Sequence, residues 1–322
     1  MITLRRFAGH AAIPIALVAL ALAPTACGGS SDGGGAGTAT GGSGSIGSGT
    51  TTPSSIPATS PTSASSPSAT PTATHPSTLV VSVYFLRGEF IGTAHRTVAR
   101  TEATATAAMK ALLAGPNAAE KAAGLTTAIP SGTTLRGIVI SNGLATVDLS
   151  KTYESGGGTL SMTARLAQVV YTLTQFPTVK GVNFELDGEA VTVFGGEGIV
   201  LGHPQSRSDY ESVTPPIFVE TPAPFDVVGA LPSGVDALRS LTVRGTANVF
   251  EATFRVKLIH AHGKKLAAKT VTATSGTGTR GAFSVRLTFA TADTTGKLIV
   301  YEASAKDGSP INVVEIPLTF AH

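Results

Sequence analysis

Apolar positions in residues 161–177 fall at Met162, Leu166, Val169, Val170, Leu173 and Phe176. That is the i, i+4, i+7, i+8 spacing of a helix with a buried stripe. Pro177 stops it, and Gly156, Gly157 and Gly158 give it a flexible entry. Residues 79–86 are β-branched and aromatic, as a buried strand requires. Residues 97–114 place Ala105, Met109, Leu112 and Leu113 on one helical face, and Gly115-Pro116 ends that element. Residues 135–140 and 144–149 read as strands around Asn142-Gly143, a step that supplies the positive φ angles of a tight hairpin. Residues 181–186 and 190–194 repeat this around Asp187-Gly188. The order is β-α-β-β-α-β-β, an α+β domain with two helices on one side of a mainly antiparallel sheet.

Beyond Pro215-Pro216 the pattern changes to period two. Strand-like runs cover residues 217–219, 241–247, 252–260, 266–274, 282–289, 297–305 and 312–320. Phe254, Val256 and Leu258 point one way while Thr253, Arg255 and Lys257 point the other, and Phe283, Val285, Leu287 and Phe289 repeat the alternation. Short alternating strands at this spacing predict an all-β immunoglobulin-like sandwich, here without a disulfide. Residues 206–216 are polar and proline-containing and read as a linker between domains at 78–205 and 217–322.

The first 77 residues read differently. Arg5 and Arg6 precede an apolar run at residues 11–23, the order of a secretory signal peptide spanning residues 1–26. The only cysteine, Cys27, follows it directly. Thr25-Ala26-Cys27 resembles a bacterial lipobox, with Pro24 where such sites carry Leu, so Cys27 is the candidate lipidation site and the N-terminal lipid the expected membrane anchor. Residues 27–77 are almost wholly Gly, Ser, Thr, Ala and Pro and predict a disordered tether. The expected location is the outer face of the cell membrane.

Four motifs in the first domain carry a family resemblance: Leu112-Leu-Ala-Gly-Pro116, Ile129-Pro-Ser-Gly-Thr133, Val147-Asp-Leu-Ser150 and Val170-Tyr-Thr-Leu-Thr-Gln-Phe-Pro177. Together they closely resemble the GerMN domain of spore germination and sporulation proteins. Residues 243–252 and 298–308 resemble the immunoglobulin-like domain of bacterial spore germination (Gmad), which commonly accompanies GerMN. The resemblance implies non-catalytic domains, and its ring-forming relatives imply self-association; the Ala/Gly/Thr-rich composition points to an actinobacterial-type lipoprotein. Read bottom-up, the same motifs are turn chemistry. Asp148 is placed to hydrogen-bond in a turn, and Gln175 to cap the helix end.

Candidate chemistry is sparse. His260 and His262 share a strand face with no third metal ligand evident. Glu185, Asp187 and Glu189 alternate around a hairpin, a cluster that could act as acid and base but is more often a solvated tip. Residues 195–198 lack both the phosphate-loop Lys and the dinucleotide spacing, so no cofactor is expected. Charged residues are only 13% and the net charge of +3 across 322 residues is too small to point to nucleic acid. Arg244, Arg255, Lys257 and Arg286 fall on outward strand positions; if their strands are neighbours, they form a basic face for anionic wall polymer or lipid headgroups. The competing reading is a solvated face that blocks edge-to-edge aggregation. The expected function is a non-enzymatic envelope lipoprotein that binds wall polymer or an envelope protein. The alternatives are an accessory sensor lipoprotein regulating a membrane kinase, and a wall hydrolase using Glu185, Asp187 or Glu189.

Overall fold

In the computed structural model, which describes residues 77–101, 103–196, 198–229 and 238–321, the described part begins with a hairpin. Strands β1 (Thr78–Arg87) and β2 (Phe90–Ala99) pair antiparallel along their whole length, and Gly88 at φ +63° makes the turn. The signal-peptide, tether and Cys27 expectations lie outside the described residues. Next come α1 (Thr104–Leu113), α2 (Ala118–Ala122) and the short β3 (Leu125–Thr126), which adds to the other edge of β1.

Strands β4 (Leu135–Ser141) and β5 (Leu144–Leu149) form the expected Asn-Gly hairpin, with Asn142 and Gly143 both at positive φ. The helix α3 (Thr159–Leu173) follows, and β6 (Gly181–Leu186) then pairs parallel to β5. Strand β7 (Glu189–Ala190) turns back through Asp187-Gly188, and β8 (Val193–Phe194) with β9 (Ile199–Val200) closes the domain.

Two expectations need correcting. The helix assigned to residues 97–114 starts seven residues later, because residues 97–99 belong to β2. That strand escaped the pattern because Gly92, Thr93, His95 and Arg96 break its apolar alternation. The domain also holds two main sheets, β2-β1-β3 and β4-β5-β6-β7, rather than one. The connection through α3 joins neighbouring strands, so β5 and β6 run parallel.

The α3 stripe of Met162, Leu166, Val169, Val170 and Leu173 is buried as expected, but so are its polar residues Arg165, Gln168 and Thr172. They are satisfied rather than stranded. Arg165 donates to the carbonyls of Ala128, Tyr153, Ser155 and Gly156. Gln168 donates to Tyr84 O at 3.1 Å and accepts from Ala128 N at 2.8 Å. Gln175 donates to Thr172 O at the helix end and exchanges two hydrogen bonds with the Ser82 backbone, fixing α3 to β1. Asp148 accepts from Gly188 N at 3.1 Å.

The second domain is a sandwich of two antiparallel sheets. One has order β10 (Ile217–Thr221), β11 (Arg239–Ala247), β14 (Gly281–Phe289). The other has order β13 (Lys265–Thr272), β12 (Thr253–His260), β15 (Thr295–Ala303), β16 (Pro310–Thr319). Phe254, Val256 and Leu258 face inward as the alternation required. Phe254 meets Phe283 of the opposite sheet edge-on at 4.8 Å, and such aromatic contacts join sheets that have no disulfide. Gly245 lies where β10 crosses close to β11: a Cβ there would fall on the Phe218 carbonyl.

Candidate interaction surfaces and the domain junction

Residues 206–216 form an ordered junction. Residues Arg207–Val213 make a 3-10 turn that packs on α3, burying Tyr210, Val213 and Thr214. Thr214 Oγ1 bonds Tyr171 Oη at 2.6 Å and donates to Tyr210 O at 2.8 Å. Tyr210 Oη donates to Gln205 at 3.0 Å.

Arg207 is the centre of this junction. Its guanidinium lies 4.6 Å from the Tyr171 ring and 5.2 Å from the Tyr84 ring. It donates to Glu220 of β10, to Thr174 Oγ1 at 2.9 Å and to Tyr171 O at 3.2 Å. Tyr84 Oη also reaches Glu220, at 3.3 Å. Burial pushes the Tyr84 phenol up to about 12, opposed in part by the Arg207 charge. Burial lowers the Arg207 pKa, but the Tyr84 and Glu220 groups outweigh it and the net shift is upward. One cation therefore fastens a strand of the first domain, its helix and a strand of the second.

Strand β10 is shared between two cores. Ile217 and Val219 pack inside the sandwich, whereas Phe218 points the other way into the first domain's core. Phe218 is 2% exposed, with its ring 5.4 Å from Tyr171 and 6.1 Å from Tyr84. Period-two alternation makes this arrangement: a strand between two cores has one face for each. Thr93 donates to Val219 O at 3.3 Å, His95 Nδ1 lies 2.9 Å from Asp226, and Arg280 Nε donates to Glu211 at 2.8 Å. Beside these contacts the β1–β2 hairpin, β10 and β16 enclose an apolar groove of about 270 Å³, walled by Phe90, Pro216, Pro224 and Val313.

The sequence's candidate residues are distributed more widely. Arg244 and Arg286 sit diagonally on the outer face of the three-stranded sheet, where Arg286 donates to Ser240 at 2.8 Å. Arg255 and Lys257 lie on the outer face of the four-stranded sheet, with the Lys257 ammonium 4.7 Å from the Tyr301 ring. The strands of the two pairs belong to different sheets, so the four do not form one basic face. Two basic pairs stand on opposite sides of the sandwich.

Asp187 is held by Arg136 at 2.9 Å, with Glu185 half-buried on β6 and Glu189 exposed on β7. His260 Nδ1 lies 2.9 Å from His262 N and 3.2 Å from Asp293. Among the described residues no group of three His, Cys, Asp or Glu is placed to hold a metal ion. No helix of the described residues is long and apolar enough to cross a membrane.

Sequence reasoning passed over Arg207, Glu220 and Phe218. Their signal was present in the alternation of Phe218 against Ile217 and Val219, but a three-residue apolar run does not say that each face meets a different core.

Family models match both domains in the same order. Residues 82–192 match the family model described as sporulation and spore germination, and residues 216–309 match that of the immunoglobulin-like domain of bacterial spore germination. No curated protein matches the chain. Among solved structures, the first GerMN domain of the sporulation protein GerM from Bacillus subtilis is similar at 19% identity and a TM-score of 0.36, over 41% of this chain and 99% of that one. The tandem GerMN domains of the same protein are similar at 16% identity and a TM-score of 0.36, over 67% of this chain and 63% of theirs. The chain thus carries, in order, a domain that matches the sporulation and spore germination family and a domain that matches the immunoglobulin-like family of bacterial spore germination.

Proposed function

We propose that this protein is a non-enzymatic binding module of the cell envelope, anchored to the outer face of the cell membrane through a lipid on Cys27, whose two domains engage anionic wall polymer as one body. The observation that carries the reading is the shared strand β10, with Phe218 in one core and Ile217 in the other. Such a junction supports a fixed presentation of surfaces rather than independent modules. The basic pairs Arg244/Arg286 and Arg255/Lys257 are the contacts that would meet phosphate or carboxylate groups of the polymer, by attraction that salt screens.

The test is retention of the full chain on purified cell wall, with and without its linked anionic polymer, across a salt series. Retention that requires the polymer and falls with salt is expected. Absence of retention at low salt would overturn the reading and turn attention to an envelope protein partner.

A further inference from the structure

One buried charge in the second domain has no hydrogen-bond partner among the described residues. Arg239, the first residue of β11, is 4% exposed, and none of its three guanidinium nitrogens has a hydrogen-bond partner among the described residues. Its backbone pairs with Phe289, and its guanidinium carbon lies 5.8 Å from the Phe320 ring centroid. The Phe289 and Phe320 rings are themselves 5.5 Å apart, so the cation sits at the end of the sandwich's apolar core. An aromatic face compensates part of its lost hydration, but it leaves five N–H donors unused.

The same fold treats its other buried arginine differently. Arg165, 2% exposed, donates to four backbone carbonyls. Two carboxylates of the described residues on connecting segments of this domain are engaged elsewhere. Asp293, in the loop after Phe289, is held by His260 and Thr291, and Asp226, next to the Val227–Thr319 bridge, is held by His95 and Ala223 N. A buried polar group without a partner calls for an explanation, and a bound anion supplies one.

We infer that Arg239 is the receptor of an oxyanion site, taking a phosphate or carboxylate group. A planar guanidinium grips two oxygens of either group at once, and Phe320 walls one side of the fork. The inference rests on the wall-binding reading only for the natural source of the anion, a polymer phosphate or carboxylate.

The experiment titrates the full chain with inorganic phosphate at constant ionic strength, chloride making the balance. It follows the arginine Nε–H resonances of labelled protein and the thermal unfolding midpoint. One resonance, missing from Arg239→Met, is expected to move saturably, and the midpoint to rise in the natural sequence but not in Arg239→Met. Arg239→Lys keeps the charge without the fork and should bind at least about tenfold more weakly. A resonance and midpoint indifferent to phosphate would overturn the site, as would an Arg239→Met protein that responds equally. If that variant does not fold, the titration of the natural sequence decides alone. Acetate and phosphatidylglycerol vesicles, run in the same way, separate carboxylate and lipid sources from phosphate. Wall retention without a phosphate response removes this site and leaves the wall reading; a phosphate response without retention does the reverse.

Discussion

Phe218 of the second domain meets Tyr171 of the first edge-on, their ring centroids 5.4 Å apart at an interplanar angle of 87°. Both rings are buried, and both touch Tyr84. Three aromatics from α3, β1 and β10 thus form a single packing unit across what the sequence presents as a domain boundary. Edge-on pairs of this kind add about 0.5–1.5 kcal/mol to the burial of their area.

Phe218→Ala should therefore cost about 3–5 kcal/mol and do so in a particular way. The first domain loses a core side chain while the second keeps Ile217 and Val219. Denaturant unfolding is expected to change from one transition to two, with protease cleavage appearing within residues 206–216. A variant that stays cooperative with only a lowered midpoint would mean that the aromatic unit does not couple the domains.

Arg207 and Glu220 give a second, polar test of the same junction. Each is about a third exposed, so solvent moderates the pair. Glu220→Gln should weaken the full chain by about 1.5–3 kcal/mol, the range for hydrogen bonds to charged groups. Arg207→Met should cost more, because Thr174, the Tyr171 carbonyl and both tyrosine faces lose their partner as well. Equal losses from the two variants, read from denaturation midpoints, would show that the stacking contributes nothing.

Alkaline pH should loosen the junction through Tyr84. Its folded pKa of about 12 lies above the ordinary tyrosine value, chiefly because of burial. Between those values the folded chain keeps a proton that the unfolded chain has lost. Stability is thus complete below about pH 10 and falls as pH rises toward 12, by up to about 1.4 kcal/mol per unit for this one group. Tyr84→Phe should remove that part of the slope. Identical alkaline slopes in the two proteins would rule Tyr84 out as the titrating group.

The basic pairs lie on opposite outer faces, so their contributions to wall binding should be separable. Arg244→Ala with Arg286→Ala, and Arg255→Ala with Lys257→Ala, should each lower wall affinity by about two- to fivefold, and the effects should add. Unchanged affinity in the quadruple variant would remove electrostatic wall binding through these residues.

Much of this architecture is legible in the chain's periodicity. The α3 stripe, both Asn-Gly and Asp-Gly hairpins and the seven strands of the sandwich follow from 3.6- and 2-residue spacing together with turn chemistry. Strand β2 was hidden because its apolar positions are interrupted by Gly92, Thr93 and His95, residues that β2 presents to β1 and to the second domain. The parallel pairing of β5 with β6 depends on where α3 returns the chain, which local spacing does not encode. The junction was hidden for a related reason. Pro215-Pro216 and the polar residues before it have a linker's composition, yet Arg207 and Thr214 find partners far away in sequence. The single basic face failed on topology alone: alternation says that Arg244 and Arg255 point outward, but only the sheet order says they point outward from different sheets.

The most direct test of two domains acting as one body is hydrogen exchange of the full chain in increasing denaturant. The slowest amides of β1 and α3 are compared with those of β12 and β15. The shared strand β10 and the Arg207 cluster predict that both sets open at one denaturant midpoint, and that Phe218→Ala separates them. Two distinct midpoints in the natural sequence would contradict the account.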